Sequence, residues 1–245
     1  MIDGKRVLII MPAWNEADGV AEVIKEVHAT LPGADVLVVD DGSTDDTTAV
    51  ARAAGATVMS LPYNLGVGGA MRAGYKFAHD RDYDVAIQVD ADGQHDPRNV
   101  PELLARLDGD ADLVMGARFA GTGEYEARGP RRWAMLVLAF WLSRMARTRL
   151  TDVTSGFRAC DRDLIKVFAR WYPAEYLGDT VESTIAAIRA GFRVEQVPVA
   201  MRPRTTGTPS QSPWKATLYL GRIGMILLLA FSRGSSLGLV AQKGK

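Results

Sequence analysis

The chain has 245 residues, 47% hydrophobic and 24% charged, with a formal net charge of zero. That is long enough for a full core in one large domain, and the neutral balance removes the basic field that would argue for nucleic acid. The lone cysteine, Cys160, excludes an intrachain disulfide, as expected of a reducing compartment; no apolar run reaches the roughly 18–20 residues that span a bilayer.

Val7–Met11 is a continuous apolar run, as in a strand covered on both faces. It is too short for the core of a secretory leader. Pro12-Ala13-Trp14-Asn15-Glu16 reads as a loop. Gly19–Leu31 has helical spacing and stops at Pro32-Gly33. Ala34–Val39 is a second buried strand, ending in Asp40-Asp41-Gly42-Ser43-Thr44-Asp45. A helix over Thr44–Ala54 follows, with Ser43 or Thr44 as its cap. Val58–Leu61 is a third strand, and Pro62–Gly69 is a glycine-rich loop into a helix over Ala70–His79. Val85–Val89 is the fourth strand.

At the end of that fourth strand stand Asp90-Ala91-Asp92-Gly93. Side chains two apart on extended chain share a face, so the two carboxylates can meet at one point, with Gly93 turning beneath them. Such a pair suits a hard divalent cation, Mg²⁺ or Mn²⁺, whose remaining positions go to water and phosphate. The same residues also make an ordinary solvated turn.

Strand, loop and helix repeated in this way imply a mostly parallel, Rossmann-like sheet flanked by helices. Ligands of such sheets bind at the carboxyl ends of the strands. Four polar or glycine-rich loops on that edge weigh for a site over four unrelated turns.

The second half is less regular. A helix is expected over Pro97–Leu107 and a fifth strand over Ala111–Gly116, followed by Arg118. Gly121–Pro130 reads as a loop. Arg131–Arg149 is an amphipathic helix with Trp133, Leu136, Val137, Phe140, Trp141 and Met145 on one broad face. Asp152–Ala159 reads as a polar connection, followed by helices over Arg162–Arg170 and Asp179–Ala190. Phe192–Met201 alternates like a strand. Residues 1–213 form one domain in this reading, with an apolar helix over 214–233 and a polar tail over 234–245. Basic charge beside Trp and Leu is the pattern of a membrane-surface helix, and packing or a partner subunit are the competing readings.

Asp40-Asp41 and Asp90-x-Asp92 on one edge are wrong for a bare phosphate but suit a nucleotide-sugar. A carboxylate can accept from a base or ribose while a metal neutralises the diphosphate. No G-x-G-x-x-G follows the first strand, and Met71 breaks that spacing in the later loop. No phosphate loop ending in Gly-Lys-Ser/Thr is present. A dinucleotide oxidoreductase and a P-loop enzyme are therefore disfavoured. So is a nucleotidyltransferase, which needs a basic glycine-rich loop after the first strand. His28, His79 and His95 lack zinc spacing, and His28 and His79 read as surface helix residues.

Taken together, Pro12–Glu16, Val39–Asp45, Asn64–Ala70 and Asp90–His95 resemble the family 2 glycosyltransferases with the GT-A fold. Asp152–Ala159 and Val194–Val199 are similar to the dolichyl-phosphate mannose synthase branch, which makes polyprenyl-phosphate sugars. The resemblance implies that Pro12, Ala13, Asn15, Glu16, Asp40, Asp41 and Asp90 hold the nucleotide, with Asn64 and Gly66 flanking it. It places a metal on Asp90, Asp92 and Gln94, and the acceptor phosphate on Arg118 and Arg132, with Arg131 competing. Arg204 resembles the arginine of a segment that closes over the donor, although Thr208-Pro209-Ser210 departs from that segment's pattern. Met135 and Leu136 stand where the branch has a serine.

The implied reaction is metal-dependent inverting transfer from GDP-mannose or a UDP-sugar to a polyprenyl phosphate. Transfer to a saccharide hydroxyl in cell-surface polysaccharide synthesis is the alternative, and it would need a base. Asp152 and Asp179 are the candidates for that base, with Asp92 the carboxylate central to either reaction. The expected setting is cytoplasmic, peripheral on the inner face of the membrane. The expected contacts are the membrane surface, a membrane-spanning partner or a second copy, and not nucleic acid.

Overall fold

The computed structural model describes residues 1–118, 130–173 and 179–202, with residues 130–134 described by backbone alone. The strands are β1 (Val7–Ala13), β2 (Asp35–Asp40), β3 (Thr57–Ser60), β4 (Val85–Gln88), β5 (Leu113–Ala117), β6 (Arg158–Asp161) and β7 (Val194–Pro198). The helices are α1 (Val20–Thr30), α2 (Thr47–Ala53), α3 (Val67–Asp80), α4 (Val100–Leu107), α5 (Pro130–Ala146), α6 (Arg162–Arg170) and α7 (Asp179–Arg189). Within the described residues the expected elements are present with ends moved by a few residues, and Pro97–Asn99 is a separate 3₁₀ turn before α4.

The strands form one seven-stranded sheet in the order β3-β2-β1-β4-β6-β5-β7. The alternation along β1 explains the layering. Val7, Ile9 and Met11 face a core shared with α1 and α4, while Leu8 and Ile10 face one shared with α3, α6 and α7. A strand buried on both faces carries the continuous apolar run read from the sequence. Packing on the second face is tight: a Cβ on Gly74 of α3 would stand 2.4 Å from Ile10 Cγ2.

The chain leaves β1 toward β2 and β3, then returns to place β4 on the other side of β1. The crevice between β1 and β4 is thus the switch point, where the carboxyl ends of the strands open for a ligand.

Two expectations are corrected. The polar connection over Asp152–Ala159 ends in a strand, β6, which runs antiparallel between β4 and β5. Because β6 runs backward, the residues before it, Asp152–Phe157, arrive at the carboxyl edge of its parallel neighbours. The second correction is the start of α2. It begins at Thr47, and neither Ser43 nor Thr44 caps it; the cap position is Asp46, whose side chain makes no capping bond.

The outward face of α5 is apolar. Leu138, Ala139 and Leu142 pack inward, whereas Leu136 (53% exposed), Val137, Phe140 (64%) and Trp141 face out. Among the described residues, no helix is long and apolar enough to cross a membrane. The expected helix over 214–233 and the tail lie outside the described residues, as does most of the expected loop before Pro130.

Candidate active site

The switch-point crevice is a cleft of about 170 Å³ lined by Pro12, Ala13, Trp14, Glu16, Asp41, Asn64, Gly66, Val67, Ala70, Asp90, Ala91 and Asp92. All of these come from the end of β1, from the loops that follow β1, β2, β3 and β4, or from the start of α3.

The loops are tied to one another by the polar residues that made them conspicuous in the sequence. Asn15, in left-handed backbone at φ 55°, donates its N–H to Ser43 Oγ at 2.9 Å and accepts from Thr44 N at 2.9 Å. Glu16 N donates to Thr47 Oγ1 at 2.9 Å. Asp40 accepts from Ser43 N at 2.9 Å and from the Thr48 hydroxyl. Asp41 spans to the next loop, accepting Leu65 N at 2.7 Å on one oxygen and Gly66 N at 2.8 Å on the other. Its pKa is raised by burial, which outweighs those two backbone bonds; Asp40 nearby adds to the rise. Gly42 has φ 74°, and a Cβ there would meet the Tyr63 backbone at 2.8 Å, so the turn after β2 requires glycine.

Asp90 and Asp92 form the floor below β4. Asp92 is 6% exposed and accepts Gln94 N at 3.0 Å. Asp90 accepts from Gln88 Nε2 at 2.9 Å, and its backbone N–H donates to His95 Nδ1 at 3.0 Å. His95 Nε2 lies 3.7 Å from Asp90 Oδ2, and the ring stacks on Phe157. With Nδ1 accepting, the neutral ring carries its proton on Nε2.

Among the described residues, no three His, Cys, Asp or Glu side chains form a metal cage. The paired carboxylates at the cleft floor still fit a hard cation that takes few protein ligands and completes its shell with phosphate and water.

At the far side of the edge, Arg118 follows β5. Its Nε and Nη2 bond the two oxygens of Asp152 at 2.6 and 3.0 Å, and Nη2 also donates to Thr154 Oγ1 at 2.9 Å. Asp152 is fully buried and also accepts from Thr154 N at 3.2 Å and Thr154 Oγ1 at 3.0 Å. Gln196 of β7 fixes this loop, accepting Thr151 N at 2.6 Å and donating to the Asp152 carbonyl at 2.6 Å.

Asp179 opens α7 and is 4% exposed. Burial pushes its pKa to about 6, against the pull of Arg158 and with a further push from Asp90. Glu182, one turn on, is raised by its own burial and by Asp179.

A glycosyl transferase family 2 model matches residues 8–168. The chain belongs to glycosyltransferase family 2. This transferase is 32% identical over 216 residues to polyprenol monophosphomannose synthase of Mycolicibacterium smegmatis, covering 85% of this chain and 82% of that protein. It is 33% identical over 215 residues to undecaprenyl-phosphate mannosyltransferase of Micrococcus luteus, covering 84% and 88%. Its fold matches glucosyl-3-phosphoglycerate synthase of Mycobacterium tuberculosis, solved with Mn²⁺, UDP and phosphoglyceric acid. The TM-score is 0.71 at 23% identity, covering 95% of this chain and 81% of that one.

In this glycosyltransferase the expected nucleotide residues divide in two. Pro12, Ala13, Glu16, Asp41, Asn64, Gly66 and Asp90 line the cleft, while Asn15 and Asp40 brace the loops around it. Asp152, expected as a candidate base, is engaged by Arg118 and Thr154 and has no exposed surface. The side chains of Arg131 and Arg132, and all of Arg204, lie outside the described residues.

Trp14 was not singled out by sequence reasoning, yet it lines the cleft and is 54% exposed. The available signal was an aromatic in a polar strand-end loop. Gly156 and Gln196 were also missed, because their contacts join segments far apart in the chain; Gln88 was missed because it reads as the end of a buried strand although its amide reaches Asp90 two residues on.

Proposed function

We propose that this glycosyltransferase moves a sugar from a nucleotide-sugar to the phosphate of a polyprenyl phosphate, inverting the anomeric carbon. The observation that carries this reading is the opposition of two kinds of group on one sheet edge. Asp90 and Asp92 stand after β4, and the Arg118 guanidinium stands after β5, two strands away or about 10 Å by strand spacing. An acid pair serves a cation-bound diphosphate, and an arginine serves a second phosphate. The names of the Mycolicibacterium smegmatis and Micrococcus luteus relatives support the same acceptor class.

In this reading the nucleotide lies in the β1–β4 crevice. Trp14 offers a face for stacking, and Asp41 holds the third loop in place. Asp90 and Asp92, with Gln94 beside them, hold Mg²⁺ or Mn²⁺. That ion would neutralise the charge developing on the departing diphosphate. Arg118, locked by Asp152, orients the acceptor phosphate. Its attacking oxygen is already anionic, so no strong base is needed.

A lipid acceptor also accounts for α5. Its outward Leu136, Val137, Phe140 and Trp141, with exposed Arg144, Arg147 and Arg149 beyond them, suit an anionic membrane surface. A second copy covering this face is the competing occupant.

Asp179 favours one other reading. A buried carboxylate with a pKa of about 6 is suited to accept a proton from a hydroxyl acceptor. Labelled GDP-mannose and UDP-sugars, each supplied with undecaprenyl phosphate and with a saccharide acceptor, separate the two. The expected result is label in lipid only, lost on chelation. Label in saccharide would select the hydroxyl reading, and chelator-insensitive transfer would remove the metal.

A further inference from the structure

The Asp90 carboxylate is backed by a layer of side chains that the reaction above leaves unused. Gln88, the last residue of β4, is 2% exposed, and its Nε2 donates to Asp90 Oδ1 at 2.9 Å. Its Oε1 is buried with no hydrogen-bond partner among the described residues. The amide cannot turn over to satisfy that oxygen, because Oε1 would then face a carboxylate oxygen.

Gln88 stands opposite Arg158 in the antiparallel β4–β6 pair, so their side chains leave the sheet on the same face. Arg158 is fully buried. Its Nη1 donates to Ser183 Oγ at 2.9 Å and its Nη2 to the Ser155 carbonyl at 2.8 Å, but its Nε has no partner among the described residues. Gln88 and Arg158 thus form a buried polar layer behind Asp90. Gly156 closes the other side. A Cβ there would lie 2.8 Å from Gln88 Nε2 and 3.3 Å from Asp90 Oδ2.

We propose that Gln88 is a positioning residue. It aims the Asp90 carboxylate at the divalent cation. Groups that hydrogen-bond a ligating carboxylate fix its orientation, and losing them typically weakens metal affinity 10- to 100-fold. The proposal rests on the reading of Asp90 as a ligand of that cation.

The test measures Mn²⁺ affinity by electron paramagnetic resonance, with Mn²⁺ alone and with GDP or UDP. The proteins are the wild type, Gln88→Met, Asp90→Ala and the double variant. Gln88→Met should lose about 10- to 100-fold in affinity, and the double variant should be no weaker than Asp90→Ala alone. Gly156→Ala disturbs the same contact without removing a buried polar group; it should lower affinity with Gln88 intact, and it carries the test if Gln88→Met does not fold. Wild-type affinity in both Gln88→Met and Gly156→Ala, or full additivity in the double variant, would overturn the proposal. Unchanged affinity in Asp90→Ala would instead remove the metal reading itself, and this inference with it.

Discussion

The Arg118 guanidinium clasps Asp152 through Nε at 2.6 Å and Nη2 at 3.0 Å, and the carboxylate has no exposed surface. Such a pair fixes the direction of the arginine more than it stabilises the fold. Removing one partner leaves the other charge uncompensated, so Asp152→Ala should cost about 3 kcal/mol in urea unfolding. Arg118→Met combined with Asp152→Leu should recover most of that. In catalysis, Asp152→Asn should raise the acceptor KM with little change in the donor KM. Loss of kcat alone with both KM values unchanged would make Asp152 a base after all.

Asp41 holds two backbone N–H groups of the third loop. Asp41→Ala should therefore raise the donor KM by roughly tenfold and cost about 1–2 kcal/mol. The acceptor KM should stay within a factor of two. An equal rise in both would show that the loop serves the whole site.

Trp14 is an exposed aromatic on the cleft wall. Stacking against a base is worth roughly 1–3 kcal/mol, so Trp14→Ala should raise the donor KM about tenfold while Trp14→Phe keeps most of the affinity. The check is the KM for the preferred donor and the inhibition constant of its free nucleoside diphosphate. If both stay at the wild-type value, Trp14 does not meet the nucleotide.

Burial raises Asp179 from 3.8 to about 6. The folded state therefore holds a proton that the unfolded state has already released. The associated stability is complete below the unfolded pKa and is lost as pH rises through the folded one. Between pH 4 and pH 6 the wild type should lose roughly 2–3 kcal/mol relative to Asp179→Asn. Denaturant unfolding at several pH values reads this directly, and parallel curves for the two proteins would contradict it.

How much of this was legible in the sequence depends on the distance over which each feature acts. β1, β2 and β4 announce themselves because strands covered on both faces need continuous apolar runs, and the polar loops at their ends locate the cleft. β6 was hidden because its four residues, Arg158–Asp161, begin with a buried arginine and follow a polar stretch. The Arg118–Asp152 pair and the Gly156–Asp90 approach depend on β6 running backward, which no local pattern encodes. Asn15 and Asp40 carry the residue types of ligand groups, and their hydrogen bonds also set the loop geometry, a role that residue type alone does not reveal. On α5, apolar spacing located the helix, but the face carrying Leu136 and Phe140 turns outward rather than into the core.

The central claim is transfer to a polyprenyl phosphate with inversion. The direct measurement is the product itself, extracted after incubating the enzyme with its preferred α-linked nucleotide-sugar and undecaprenyl phosphate in anionic vesicles with Mn²⁺. Mass spectrometry and NMR should find one hexose joined through a β-glycosyl phosphodiester. A product with an α-linkage, or one in which the sugar is joined to a hydroxyl rather than to phosphate, would contradict the account.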